Sequence, residues 1–367
     1  MYVYDISLII FIKKIILLKI NYEYICMMNK TKKKSAKTKT NNAKKHITTF
    51  KFSNNLKELF ISSCLKCKYP NKIYIHDPIL VSDNKLIDKI YLQERKTEFD
   101  GVSAILDNAK YPNIFGSNID TIFFCNVLRQ NKNKFKKIKS FFELGIGGGF
   151  ISKYILSKFN IKRAFLNDIE KQAIDYAINE LDLPNVSKSK MKTINMTSPF
   201  HCKIIEKDGI TFLQGDGIHA LQYLMSDRLD LLVCNPPYIP SSKTENDLDI
   251  NSPNFWEGTR LLRFLLHNYS KYANNLIMIV SSLSLVNKHV IKELSNVKFK
   301  ILEHHTIPIK VYDNGQNILD NKKIMKLLNS DKKQITINNN AFNVGIIHDN
   351  DADWTCKHTI YFIHVYM

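Results

Sequence analysis

From Ser140 onward, short apolar runs alternate with stretches whose apolar positions recur at helical spacing. Phe141, Phe142 and Leu144 make the first run, and residues 151–159 the first helix. Residues 164–166 make a second strand, followed by a helix over 170–181 that turns Ala173, Ala177 and Leu181 to one side. Strands at 210–213, 229–234 and 276–280 are separated by helices at 217–225 and 257–272. Strand, helix and strand in this succession predict βαβ units and a mainly parallel sheet with helices on both faces. A helix near 286–294 then leads to a strand at 299–309, and residues 358–366 make a last one. No full crossover helix separates these two, so they are expected to pair antiparallel. Residues 184–207 read as an irregular insertion, and 314–340 as one rich in Lys and Asn.

Upstream the pattern is mixed. Leu56, Leu59 and Phe60 have helical spacing, whereas residues 73–75 and 79–81 alternate like short strands around Pro78. A helix over 118–128 carries Ile119, Ile122, Phe123, Val127 and Leu128 on one face, with Asn118 or Asp120 as its cap. The expected organisation is an extension and lysine-rich tail over 1–50, a small N-terminal subdomain over 51–117, and the main domain over 118–367. No internal repeat is present.

Charge adds a partner class. The chain of 367 residues has a net charge of +19, and nine lysines without an acidic residue lie between Lys30 and Lys51. That segment repels itself and is read as a disordered tail. The rest still carries about +10, which suits a polyanionic partner; a lysine- and asparagine-biased genome is the other source of such a charge. Seven scattered cysteines argue against a disulfide framework and for a reducing, cytoplasmic setting, an organelle being the alternative. Cys64 and Cys67 form one pair without a second, so ordinary thiols are preferred to a zinc site. The apolar stretch 6–18 is broken by Lys13 and Lys14, too short to span a bilayer, and no stable membrane insertion is expected. A start at Met27 or Met28 is preferred to a membrane-associated helix.

Two loops carry chemistry. Gly145, Gly147 and Gly149 stand between a buried strand and a helix, where missing Cβ atoms allow a sharp turn and close ligand approach. Phe150, Ile151 and Ser152 occupy the place where a dinucleotide fingerprint would finish, so the pattern is incomplete as one. Asp168 ends the second strand, about 20 residues on, as an acceptor of ribose hydroxyls or as a helix cap. The second loop is Asn235-Pro236-Pro237-Tyr238, at the end of an apolar strand. Two prolines fix the backbone and leave its carbonyls as free acceptors. A carbonyl and the Asn235 amide oxygen together suit both protons of a planar NH₂ group, with Tyr238 stacked on its plane. Such a nitrogen is a poor nucleophile, and holding both N–H bonds directs electron density to an electrophile.

In this order and separation the loops resemble those of class I S-adenosylmethionine-dependent methyltransferases with an NPPY active-site loop. The resemblance implies a Rossmann-like α/β fold: a seven-stranded, mostly parallel sheet with an antiparallel terminal strand. It implies S-adenosylmethionine as cofactor, Glu143 near its methionine end, and Asp216 near its adenine amino group. Ile239 and Pro240 extend the loop to a hexapeptide similar to that of the HemK/PrmC group, which methylates a release-factor glutamine; the segment 115–121 is also similar. A glutamine amide in a protein of the translation apparatus is therefore the leading substrate. Adenine N6 in RNA or DNA is the alternative, because the chain is basic and a five-helix N-terminal domain is not evident. A catalytically silent nucleic-acid-binding protein is the reading of another class. Phe255 and Trp256 form either a substrate lip or core packing, and His304-His305 is read as structural or surface.

Overall fold

A computed structural model describes residues 48–53, 56, 58–62, 72–74, 94–117, 119–183, 192–196, 202–207, 209–222, 228–238, 259–308, 322–329, 333–348 and 356–367. They begin with five strands: β1 (Thr48–Phe52), β2 (Glu58–Ser62), β3 (Lys72–Tyr74), β4 (Glu94–Phe99) and β5 (Val102–Asp107). These form one sheet in the order β3-β2-β1-β4-β5, with β1 parallel to β4 and the other pairs antiparallel. Leu59 and Phe60, spaced as for a helix, lie in a strand instead, because a helical spacing of so few residues fits either structure. Alternate residues of β4 and β5 are buried: Arg95, Thr97 and Phe99, then Val102, Ala104 and Leu106. The 79–81 strand expected from sequence lies outside the described residues.

The main sheet follows α1 (Ile119–Gln130) and α2 (Lys132–Phe135). Its elements are β6 (Ser140–Leu144), α3 (Phe150–Lys158), β7 (Arg163–Asp168), α4 (Lys171–Asn179), β8 (Lys192–Met196), β9 (Cys202–Lys207) and β10 (Ile210–Gln214). Then come α5 (Gly217–Gln222), β11 (Leu229–Cys234), α6 (Thr259–Tyr272), β12 (Ala273–Ser281), α7 (Lys288–Ser295) and β13 (Phe299–Pro308). The last are α8 (Lys322–Leu328), β14 (Gln334–Ile337), β15 (Asn340–Asn343), β16 (Ile347–His348) and β17 (Cys356–Tyr366).

Strand order is β13-β17-β12-β11-β6-β7-β10-β9-β8, with β16 also on β17. The five central strands are parallel, and β17 is antiparallel to both its neighbours, as the sequence predicts. This is the Rossmann-like, mostly parallel arrangement. The sheet is wider than seven strands because residues 192–207, expected to be irregular, form the hairpin β8–β9 on β10. Polar residues alternate with Ile194 and Met196 there, which suits an edge and hides the strand among lysines and serines. The 314–340 stretch contains α8 and β14, and the hairpin to β15 turns on Asn338 and Asn339, both in the left-handed region (φ 49° and 63°).

Successive residues of each strand feed opposite layers. Leu231 and Val233 face the layer shared with α1, α3 and α4, while Leu232 and Cys234 face the one with α5, α6 and α7. The small sheet is tied to the first of these layers. Tyr154 of α3 donates to Asp100 (2.8 Å), and Tyr176 of α4 donates to the Ile105 carbonyl (2.6 Å). Strand order reverses between β7 and β11 on either side of β6, so a crevice is due at the carboxyl ends there.

Candidate functional site

Both loops emerge at that reversal. Leu144 pairs with Cys234, so Gly145 and Asn235 are the next residues of two adjacent strands. Gly145 has φ +71° and no heavy atom within 4 Å of where a Cβ would stand. Gly147 has φ +48°, and a Cβ there would lie 2.7 Å from the Phe115 carbonyl, which accepts the Gly148 N–H at 2.8 Å. Arg95 of β4 fixes that segment by donating to the Ser117 carbonyl (3.1 Å). The glycine turn is thus clamped from below by the N-terminal sheet and open at its tip. Gly149 caps α3.

Asp168 closes β7. Its Oδ2 accepts from Gly147 N (2.8 Å) and its Oδ1 from Glu170 N (2.9 Å), while burial pushes its pKa up. The two oxygens carry four lone pairs for these donors and the nearby Ile169 N, so capacity for a hydroxyl remains. The next residue, Ile169, is 68% exposed, and Phe115 is 52% exposed. Asp216 caps α5 through Ile218 N (3.0 Å) and His219 N (3.2 Å), and its Oδ2 lies 3.6 Å from Arg260. Glu143 is buried, and its carboxyl accepts from Ser152 Oγ. Burial, with the Asp168 charge adding, raises its pKa to about 8, although the Ser152 bond opposes this.

The second loop is organised by a residue that the sequence suggested only as a cap. Asp120, in the first turn of α1 and buried, accepts from Asn235 Nδ2 (3.2 Å) and from Tyr238 Oη (3.0 Å) on one oxygen. Its other oxygen accepts from Thr121 N (2.9 Å). A carboxylate only accepts, so the Asn235 NH₂ must face it and the amide oxygen must face away. That oxygen is buried and meets no donor among the described residues. Pro236 is buried and Pro237 exposed. The Tyr238 ring packs against His358 (centroids 5.3 Å), whose Nδ1 lies 2.9 Å from Ser281 Oγ. Burial and the adjacent Asp120 hold the Tyr238 hydroxyl well above its ordinary pKa, so it remains a donor. A signal for Asp120 was available: a lone acid on a helix otherwise apolar through Ile122, Phe123 and Phe124 must be buried, and buried acids have partners.

Glu143, the glycine turn, Asp168, Asp216, Asn235 and Tyr238 therefore meet at one rim of the sheet, the carboxyl ends of β6, β7, β10 and β11. Ile239, Pro240, Phe255, Trp256, Cys64 and Cys67 lie outside the described residues. His305 stacks on Phe123 (3.6 Å) and bonds Glu303, a packing role. Among the described residues no cluster suits a metal ion, and no helix is long and apolar enough to cross a membrane.

No family model and no curated protein matches the chain. Among solved structures it is similar to precorrin 8W decarboxylase of Methanobacterium thermoautotrophicum, at 11% identity and TM-score 0.36, over 70% of this chain and 95% of that one. A putative RNA methyltransferase of Pyrococcus horikoshii matches at 13% identity and TM-score 0.34, over 66% and 84%. A putative S-adenosylmethionine-dependent methyltransferase of Streptococcus mutans matches at 11% and 0.36, over 87% and 76%. Likenesses this low bear on neither substrate nor reaction.

Proposed function

We propose that the chain is an S-adenosylmethionine-dependent methyltransferase acting on a planar amino group. The observation that carries this is the Asn235 amide oxygen, buried, without a donor among the described residues, and turned away from Asp120 beside the glycine turn. An unsatisfied buried acceptor costs about 1–3 kcal/mol. A silent binding protein gains nothing from it, whereas an enzyme that must grip an N–H does. S-adenosylmethionine, when bound, supplies an electrophilic methyl. The residues present fit it: Gly145 leaves backbone room, Asp168 offers acceptors to ribose hydroxyls, and buried Glu143 offers a carboxyl to the cationic methionine end.

The chain's own part is orientation. Asn235 Oδ1 accepts one amino proton, the adjacent Asn235–Pro236 or Pro236–Pro237 carbonyl accepts the other, and the flat acceptor lies along Tyr238. With the cofactor bound, the nitrogen lone pair would be left free for its methyl, and the Oδ1 acceptor would strengthen as positive charge develops on the nitrogen. Transfer would break the sulfur–methyl bond, leave the neutral thioether, and release one nitrogen proton to solvent. Glutamine amides and adenine N6 both present such a group. The hexapeptide ending at Pro240 supports glutamine. The five-stranded N-terminal sheet, found where the glutamine-methylating group has a helical domain, supports adenine, as does the basic charge.

A cell extract given the protein and methyl-tritiated S-adenosylmethionine separates the two. Label that resists RNase and is lost to protease assigns a protein amide, and the reverse assigns RNA. No label in any fraction, with calorimetry showing no cofactor binding, would defeat the methyltransferase reading.

A further inference from the structure

The opposite end of the sheet has a chemistry of its own. Between α1 and β6 the segment 132–139 is pinned by two buried side chains, Phe135 and Ile138, and this turns Lys132, Lys134, Lys136, Lys137 and Lys139 outward, all exposed. Phe135 packs edge-on against His364 of β17 (5.4 Å), and His364 pairs with Lys300 on β13. The contact brings a sixth exposed lysine to the same rim. Lys134 is held below its ordinary pKa, by partial burial first and by the Lys300 charge second. His364 is pushed down to about 4 by burial and then by both lysines.

None of the six makes an ion pair among the described residues. Elsewhere on this surface lysines do pair: Lys158 with Asp100, Lys96 with Glu98, and Lys171 with Asp175. The carboxylate at the rim, Asp230, is occupied by Lys139 N (2.7 Å), Ser140 N (2.9 Å) and Ser140 Oγ (3.1 Å). Like charges held together by two separate elements, with no ion pair among the described residues, disfavour the protein alone and favour a polyanion that brings its own negative charges at regular spacing.

We propose that this amino-terminal rim, Lys132–Lys139 with Lys300, docks the phosphate backbone of RNA. The five residues of β6 separate it by about 17 Å from the loops at the other end. An RNA held here engages the protein through its phosphates, away from the loops at the other end of the sheet. The inference does not depend on methyl transfer and is measured without it.

The test compares full-length proteins binding bulk transfer RNA from about 50 to 300 mM salt. Lys132→Gln, Lys134→Gln, Lys136→Gln and Lys137→Gln together should weaken binding at least about tenfold near 100 mM salt. They should also flatten the slope of log affinity against log salt by about three, at 0.7–0.9 per phosphate contact. The same four positions changed to Arg should bind as wild type and confirm that the fold tolerates substitution. A control losing equal charge at Lys171, Lys288, Lys326 and Lys333 should change affinity less than about threefold. Equal loss in the control, no binding of transfer RNA by the wild type, or equal competition by polyglutamate of matched charge would each overturn the proposal.

Discussion

Asp120→Asn is expected to lower the methyl-transfer rate constant about a hundredfold or more while leaving cofactor affinity within about threefold. The isosteric amide keeps the volume and one acceptor, so the helix and loop persist. It replaces an obligate acceptor with a group that also carries NH₂. Its one remaining oxygen cannot serve Thr121 N on one side and both Asn235 and Tyr238 on the other. Where the NH₂ takes the loop side, the Asn235 amide gains by turning its oxygen inward, which leaves its own NH₂ toward the acceptor's amino group, donor against donor. Losing one such directed bond in a transition state costs on the order of 10²–10³ in rate. A merely structural Asp120 would instead lower the melting temperature and spare the rate constant. Single-turnover kinetics beside a thermal melt distinguish the two, and a rate constant within threefold of wild type would remove Asp120 from the mechanism.

Glu143→Gln is expected to move stability and cofactor affinity in opposite directions. The Glu143 carboxyl has a folded pKa of about 8 against 4.5 ordinarily. A raised pKa means that the folded state holds the proton more tightly than the unfolded one. The stability this gives is complete below about pH 4.5 and is lost as pH rises through about 8. Glutamine is neutral throughout and still accepts from Ser152. The variant should therefore match wild type near pH 4.5, melt progressively higher from there to about pH 8 and keep a constant margin above it, each pKa unit being worth about 1.4 kcal/mol. S-adenosylmethionine should bind it at least about tenfold more weakly, because the ionised carboxyl is the counter-charge of the cationic ligand. In the wild type, affinity should rise with pH up to about 8 as binding drives off the proton. Melts and calorimetry across that range check both; equal pH slopes for the two proteins would show that Glu143 is ionised throughout.

Much of this site was readable because its parts are local. The glycines, Asp168 and Asn235–Tyr238 each sit where a strand's apolar run ends, and βαβ alternation forces those ends to one rim. Asp120 escaped because its partners are 115 and 118 residues away, whereas the capping reading needed only its neighbours. The β8–β9 hairpin escaped because half of each strand is polar. The N-terminal sheet was only partly visible: β1 pairs with β4 across some forty residues, a link no local period encodes. The alternating burial of Arg95, Thr97 and Phe99 was hidden by an arginine on the inward face.

Asn235→Ala removes the donorless amide oxygen and little else, since among the described residues the NH₂ contributes only a bond to Asp120. Transfer of a tritiated methyl from S-adenosylmethionine into whole-cell extract, followed beside cofactor binding by calorimetry, tests the account most directly. The variant should bind the cofactor within about twofold of wild type and transfer no label above background. Undiminished labelling by Asn235→Ala would mean that no amino group is gripped there.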